Sequence, residues 1–273
     1  MTRSATDHAL EISSGRRFEF GANWTRFLAT VSEERVRLAV ESLRAMLGRD
    51  SLEGLKFLDA GSGSGLFSLA ARRLGATVVS FDYDPQSTAC TAELRRRYTN
   101  GDPAWQVESG SVLDREYLER LGTFDVVYSW GVLHHTGNLR QAMENVAGRV
   151  APSGMLFIAL YNDQGWISRY WSAVKRGYNR NAAWRWVVIA VHAPYLYGVR
   201  LVARAVSGRL RMERGMSLWY DMIDWLGGLP FEVATPQDIV RFHAERGFTL
   251  RNAVTVGSRS GCNEFVFQRL PVS

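Results

Sequence analysis

The sequence predicts an α/β protein built on a doubly wound parallel sheet, and three observations carry that expectation. Short apolar runs rich in β-branched residues alternate with helical patterns of ten or more residues. The first run, "GLKFLDA", empties into the glycine-rich turn "GSGSG", which leads straight into the helical "LFSLAARRL". The second run ends on Asp82, 17 positions beyond Gly65.

The elements follow in order. Ahead of the first strand, "RRFEFGANWTRFL" carries Phe18, Phe20 and Trp24 and is too apolar for a loose tail, so residues 1–50 are expected to form a helical cover. After the glycine turn, Leu66, Leu69, Ala70 and Leu74 recur at helical spacing. "ATVVSFDYD" is a second strand, and Pro85 can open the helix "STACTAELRRRY". "AWQVESGSVLD", "TFDVVYSWGVL" and "GMLFIALY" give strands three to five, with the helix "NLRQAMENVAGRV" between the last two. "TPQDIVRFHAERG" is a late helix in which Thr235 reads as an N-cap before Pro236.

Length and composition narrow the classes. The 273 residues suit one domain of ordinary globular composition, 46% hydrophobic and 22% charged. A net charge of +6 would suit nucleic acid or an anionic membrane. Yet only Lys56 and Lys175 of the basic residues are lysine, which points to a GC-rich coding bias rather than to a binding function. Cys90 and Cys262 lie far apart without metal-ligand spacing, so neither a disulfide framework nor a metal site is expected. The N-terminus lacks the apolar core of a signal peptide, and the run "WVVIAVHAPYLY" is too short to span a bilayer. A cytoplasmic protein is the expectation, with peripheral membrane attachment as the alternative.

In a doubly wound sheet the ligand sits beyond the carboxyl ends of the strands, where the glycines lie. A dinucleotide fingerprint needs glycine at the sixth position from Gly61, but that position is Leu66, and Gly65 falls one place early. What remains is Asp59, Gly61, Gly63 and Gly65 at alternate positions. This resembles motif I of class I S-adenosylmethionine-dependent methyltransferases, nearest to the ubiquinone-biosynthesis-like small-molecule type. The resemblance extends through Asp82, "GSVLD" and "FDVVYSWGVLHH", over roughly residues 55–161, and to the closing "GFTLRNAVTVGSRSGCNEFVFQRL".

The resemblance implies a Rossmann-like, doubly wound seven-stranded sheet with an antiparallel last strand and a helical insertion acting as a lid. It divides the single domain 1–273 into the cover 1–50, a cofactor-binding core 55–161, the basic helical insertion 163–230, and the last helix with two antiparallel strands 236–269. S-adenosylmethionine is the implied cofactor, S-adenosylhomocysteine the product, and no metal is expected. Gly61 and Gly63, with Ser62 between them, would let the cofactor lie against the backbone, where a Cβ would collide. Asp59 would hold its ammonium end, and Asp82, preferred over Asp84 because it ends the strand, its ribose hydroxyls. Tyr83 would stack on the adenine. Ser111 and Val112 stand where the family often has Asp and a small apolar residue, leaving Asp114 as a substitute for the missing carboxylate. Trp130 is either a pocket wall or a core residue.

For catalysis, His134 and His135 follow strand four, where a substrate would meet the methyl, and histidine suits proton removal near neutrality. Asp221 and Asp224 of "WYDMIDW", three apart on a helix, form a second set. Glu232, Tyr161 and Glu264 follow behind them. The region from Asp163 to Ser217 holds ten Lys or Arg against two acidic residues, with Trp166, Tyr170, Trp171, Val174 and Tyr178 at helical spacing. It reads first as a lid over the substrate, then as an anionic membrane surface, and last as an RNA contact. The expected activity is methyl transfer to an O or N atom of a small molecule. The alternatives are a membrane lipid, quinone or RNA acceptor and, from another class, a non-catalytic cofactor-binding regulator. Nothing in the sequence sets the oligomeric state, a homodimer being one option.

Overall fold

Three helices precede the sheet: α1 (Ala5–Ser13), α2 (Gly21–Leu28) and α3 (Glu33–Leu47). The computed structural model describes residues 5–28, 30–199, 218–259 and 261–271. In α3, Ser32 accepts the N–H of Arg35 as N-cap, and Glu33 and Glu34 occupy the first turn, where the helix dipole favours negative charge. Gly48 ends it at φ 63°. The buried stripe of α3, including Val36, Leu43 and Leu47, faces the sheet.

The core then alternates: β1 (Lys56–Ala60), α4 (Leu66–Arg73), β2 (Thr77–Asp82), α5 (Pro85–Thr99), β3 (Trp105–Ser109), α6 (Arg115–Leu121), β4 (Phe124–Trp130), a 3₁₀ turn (Leu133–His135), α7 (Leu139–Ala147) and β5 (Val150–Tyr161). Later come α8 (Trp166–Arg180), α9 (Ala182–Ala193), a π turn (Pro194–Val199), α10 (Leu218–Gly227), α11 (Pro236–Ala244), β6 (Phe248–Val254) and β7 (Cys262–Arg269). The seven strands stand in the order β3-β2-β1-β4-β5-β7-β6. The first five are parallel, while β7 runs antiparallel to both β5 and β6. The chain winds outward from β1 to β3 and returns to β4 beside β1, so the switch point opens between the glycine turn and the end of β4.

Two helical layers cover the sheet. On one face α3 and α4 bury Leu43, Leu69 and Ala70 against Phe57 and Phe157. On the other, α6, α7 and α11 pack Leu118, Val146 and Ile239 against Leu58, Val127 and Phe265. A third, smaller core joins α8, α9 and α10 through Val174, Tyr178, Ile189, Met222 and Leu226, with Phe18 of the N-terminal segment packed against it. The N-terminal segment and the insertion therefore meet through Phe18.

Two details differ from the sequence reading. Helix α6 was not anticipated: it has seven residues, too few for a clear period, and depends on Asp114 accepting the N–H of Tyr117 at its start. Strand β5 begins at Val150, four residues before Gly154, because its pairing with β4 jumps from Phe124–Val150 to Val126–Met155. Pro152 and Ser153, the latter at φ 62°, occupy the resulting irregularity, where a missing N–H costs no ladder bond. As expected, Pro85 opens α5, behind Asp84 as its N-cap, and Thr235 caps α11.

Because Leu43 is fully buried between α3 and the sheet, Leu43→Ala should lower the unfolding free energy by about 2–5 kcal/mol. Guanidinium denaturation checks this; a loss below about 0.5 kcal/mol would detach α3 from the cooperative core.

Candidate active site

The glycine turn joins the end of β1 to α4, and its backbone is left-handed at all three glycines: φ is 89° at Gly61, 54° at Gly63 and 79° at Gly65. The chain itself also crowds them. A Cβ on Gly61 would lie 2.5 Å from the Val132 side chain, one on Gly63 3.0 Å from the Trp24 ring, and one on Gly65 2.9 Å from Thr91. Backbone conformation and protein walls thus demand glycine, whereas the sequence reading traced Gly61 and Gly63 to the cofactor alone. Ser62 bonds to Thr91 through its hydroxyl at 2.9 Å.

Asp82 closes the turn. Its Oδ2 accepts the Gly63 N–H and its Oδ1 the Asp84 N–H, each at 2.9 Å. Burial pushes its carboxyl up to about 6 against those two bonds. Asp84, the rival for the ribose role, is itself buried. Its Oδ1 accepts from Gln86 N–H to cap α5, and its Oδ2 accepts from Gly21 N–H to anchor α2, both at 2.8 Å.

Asp59 lies at the end of β1, 2% exposed. The hydroxyl of Ser68, in the first turn of α4, donates to its Oδ2. The Trp105 indole N–H, which can only donate, reaches Ser80 Oγ at 2.7 Å, and Ser80 and Ser68 hydroxyls meet at 2.7 Å. The chain is therefore directional, Trp105 to Ser80 to Ser68 to Asp59. Burial, with Asp82 nearby, raises the Asp59 carboxyl to about 7 despite the Ser68 bond.

These residues border a cavity of about 1790 Å³ whose wall runs from Asp59, Gly61 and Asp82 past Ser111 and Val112 to Trp130 and His135. Ser111 Oγ accepts the Leu113 N–H at 3.2 Å, while the Val112 carbonyl accepts from the Asn145 amide. Asp114 is spent on capping α6 and is absent from the wall, so it does not replace the missing carboxylate. Tyr83 borders the cavity with Arg17 lying 4.9 Å over its ring and His8 edge-on at 5.2 Å. Trp130 donates from its indole to Glu264 Oε1 at 3.0 Å, which joins two residues read as separate candidates.

The 3₁₀ turn separates the two histidines. His134 is fully buried, its ring centroid lies 3.9 Å from that of Tyr161 with the planes tilted by 36°, and it accepts the Tyr161 N–H; it does not reach the cavity wall. Burial and the charge of Lys175 hold its imidazolium well below the ordinary range. The pair therefore splits: His134 braces β5, and His135 alone borders the cavity. His135 Nδ1 lies 2.6 Å from the Pro230 carbonyl, which can only accept, so Nδ1 carries the hydrogen and Nε2 keeps its lone pair. Its ring packs against Phe20 and Tyr161, and its carbonyl accepts from Arg17. Burial, partly opposed by the Pro230 bond, lowers its pKa to about 3.

Glu232 accepts the Leu139 N–H at the start of α7 and so serves the fold. Asp221 and Asp224 belong to α10, but their side chains lie outside the described residues. Sequence reasoning missed Ser68, Arg17, Pro230 and the glycine wall Val132, and it placed Trp24 in the N-terminal cover without the contact that makes its ring a wall for Gly63. A serine in the first turn of α4 was the only local signal among them.

The donor set fits a ligand with a cationic end. Two neighbouring carboxylates, both raised by burial, would gain from a positive charge, and the open wall beside the glycines offers backbone at close range. Among the described residues, no group of three or more His, Cys, Asp or Glu could hold a metal ion, and no helix is long and apolar enough to cross a membrane.

Residues 31–201 match a family model described as a methyltransferase domain. The ubiquinone biosynthesis O-methyltransferase of Rhizobium etli is 34% identical over 134 residues, covering 46% of this chain and 52% of that protein. The ribosomal protein L11 methyltransferase of Xanthomonas campestris is 33% identical over 129 residues, 47% of this chain and 39% of that one. The chain spans about half the length, or less, of these curated relatives. Among solved structures, the magnesium protoporphyrin IX methyltransferase of Synechocystis PCC 6803 with bound S-adenosylhomocysteine shares the fold. It aligns with a TM-score of 0.56 at 15% identity, over 96% of this chain and 100% of that one.

If ionised Asp59 grips a cationic ligand end, affinity for S-adenosylmethionine should rise with pH between about 6 and 7.5, below the α-amino range. Ser68→Ala removes a bond that favours the carboxylate, so the midpoint of that rise should move to higher pH. Titration calorimetry across pH checks it, and a pH-independent affinity in both proteins would clear Asp59 of the role.

Proposed function

The chain belongs to the methyltransferase-domain family, and on that premise we propose that it methylates a hydroxyl oxygen on an aromatic small molecule, with His135 as the base. The observation that carries this reading is the imidazole on the cavity wall, its Nδ1 tied to Pro230 and its Nε2 lone pair available, set among aromatic rings. S-adenosylmethionine supplies an electrophilic methyl group on a positive sulfur.

The residues of this chain would divide the work as follows. Gly61, Ser62, Gly63 and Gly65 present backbone to the cofactor, Asp59 faces its ammonium end, and the unused lone pairs of Asp82 face the ribose. Ser111, Val112, Tyr83 and Trp130 border the remainder. Phe20, Tyr161, Trp171 and Trp225 line the other half of the cavity, where a flat apolar acceptor can lie while water is kept out. The relatives named as ubiquinone biosynthesis O-methyltransferases support oxygen as the accepting atom.

A base with so low a pKa is still competent here. A hydroxyl whose oxygen takes up a methyl group would become far more acidic than an imidazolium near 3, so His135 Nε2 would accept its proton downhill, the electron pair of the cleaved carbon–sulfur bond being left on the sulfur. Burial first, and the neighbouring Lys175 and Arg17 charges after it, keep His135 neutral, so its lone pair is present at physiological pH. Alignment of oxygen, methyl and sulfur supplies the larger share of the acceleration.

A panel of catechols and simpler phenols incubated with methyl-labelled cofactor tests the reading: label should appear in aryl methyl ethers, and label confined to N-methyl products or to protein would overturn it. His135→Ala should lower turnover by about 10²–10⁴-fold while changing cofactor affinity less than about twofold. At saturating cofactor, where the pH dependence of its affinity no longer enters, the wild-type rate should show no inflection at the usual histidine pKa of about 6.5.

A further inference from the structure

Helices α8 and α9 form an antiparallel hairpin: the Tyr170 hydroxyl meets His192 Nε2 at 2.7 Å near one end, and Arg180 lies over Trp184 at the other. The inner side of the hairpin is accounted for by the small core around Val174, Val188 and Ile189. The outer side is unusual. Of the exposed residues of α9, only Arg185 is polar; Trp186 is 67% exposed, Val187 51%, Val191 64%, and Tyr195 in the following turn 69%. On the exposed face of α8, Arg169, Arg176 and Arg180 stand seven and eleven residues along, which places them in one stripe. From Trp166 to Val199 the sequence contains no Asp or Glu.

We infer that this face docks on an anionic lipid bilayer, with the apolar arc of α9 entering the interface and the arginine stripe of α8 on the headgroups. Tryptophan and tyrosine suit that boundary, having apolar bodies and polar tips, and each arginine near an anionic surface adds to the attraction. A second copy of the chain fits less well: a two-fold contact through this face would set arginine against arginine with no acid to answer them. Nucleic acid would leave the valine and tryptophan arc facing phosphates.

The cavity gives the surface a purpose. Trp166 and Tyr195 are exposed on this face and also line the cavity, so its mouth opens at the proposed interface and a lipid-dissolved acceptor can enter without crossing water. The docking itself does not depend on which atom is methylated.

Flotation of the full chain with phosphatidylglycerol vesicles tests it, with phosphatidylcholine vesicles alongside. The protein should float with the anionic vesicles at low salt and lose most of that binding at about 0.5 M salt. The double variant W186S, V187S should partition at least about tenfold less. The triple variant R169Q, R176Q, R180Q should also partition less and lose the salt dependence. Both should keep wild-type cofactor affinity, which shows that they fold. No flotation with anionic vesicles at low salt would overturn the inference, as would flotation unchanged in both variants. A dimer that Trp186→Ser dissolves, with no vesicle binding, would assign the face to a contact between copies instead. Because the readout is binding and not turnover, failure here leaves the acceptor reading standing, and failure of that reading leaves this one.

Discussion

The arrangement hangs on two carboxylates two positions apart, half-buried Asp82 at the end of β2 and buried Asp84 just beyond it. Asp82 takes the N–H of Gly63 with one oxygen and the N–H of Asp84 with the other. Asp84 in turn takes the N–H groups of Gln86 and Gly21. In two steps the end of one strand positions the glycine turn, the start of α5 and the start of α2. Each such bond to a charged oxygen contributes about 1.5–3 kcal/mol, and the burial that raises Asp82 to about 6 is the opposing cost. A carboxylate left in water could not hold the turn to one geometry; one buried without these N–H partners would simply keep its proton.

This anchoring explains why the glycine turn can be both tight and close to the cavity. Its three residues are left-handed, and Val132, Trp24 and Thr91 fill the space where side chains would stand. Two of those walls come from elements on either side of the core, the N-terminal cover and the exit of β4. The cover is thus part of the site's architecture, held by Asp84 through Gly21 and by Arg17, which reaches the His135 carbonyl.

The opposite half of the cavity follows a different rule. There, burial and neighbouring cations hold histidine neutral, while aromatic rings supply shape and little charge. Carboxylates raised toward neutrality on one side and an imidazole pushed far below it on the other make a site polarised by burial more than by net charge. Such a division is what separate handling of a cationic cofactor end and an uncharged acceptor would require.

Much of this was legible in the chain. Strand ends, the glycine turn, Asp82 and the starts at Pro85 and Thr235 are encoded by neighbours within a few residues, because strand alternation, helix period and capping act at that range. Local signals failed where they were short or had two meanings: α6 is too brief for a period, and Asp114 reads equally as a cap or a ligand. Which of two adjacent histidines faces the cavity was beyond any local rule. That choice is made by Pro230, 95 residues from His135, and by Tyr161, 27 residues from His134, whose contacts turn one ring outward and the other into the core. By itself, then, the sequence determined the fold and the glycine turn, whose physics is short-range. The tertiary structure alone decided the direction of His135, the second duty of Asp84 and the outward apolar face of α9, since each depends on partners brought together only when the sheet and its helical insertion pack together.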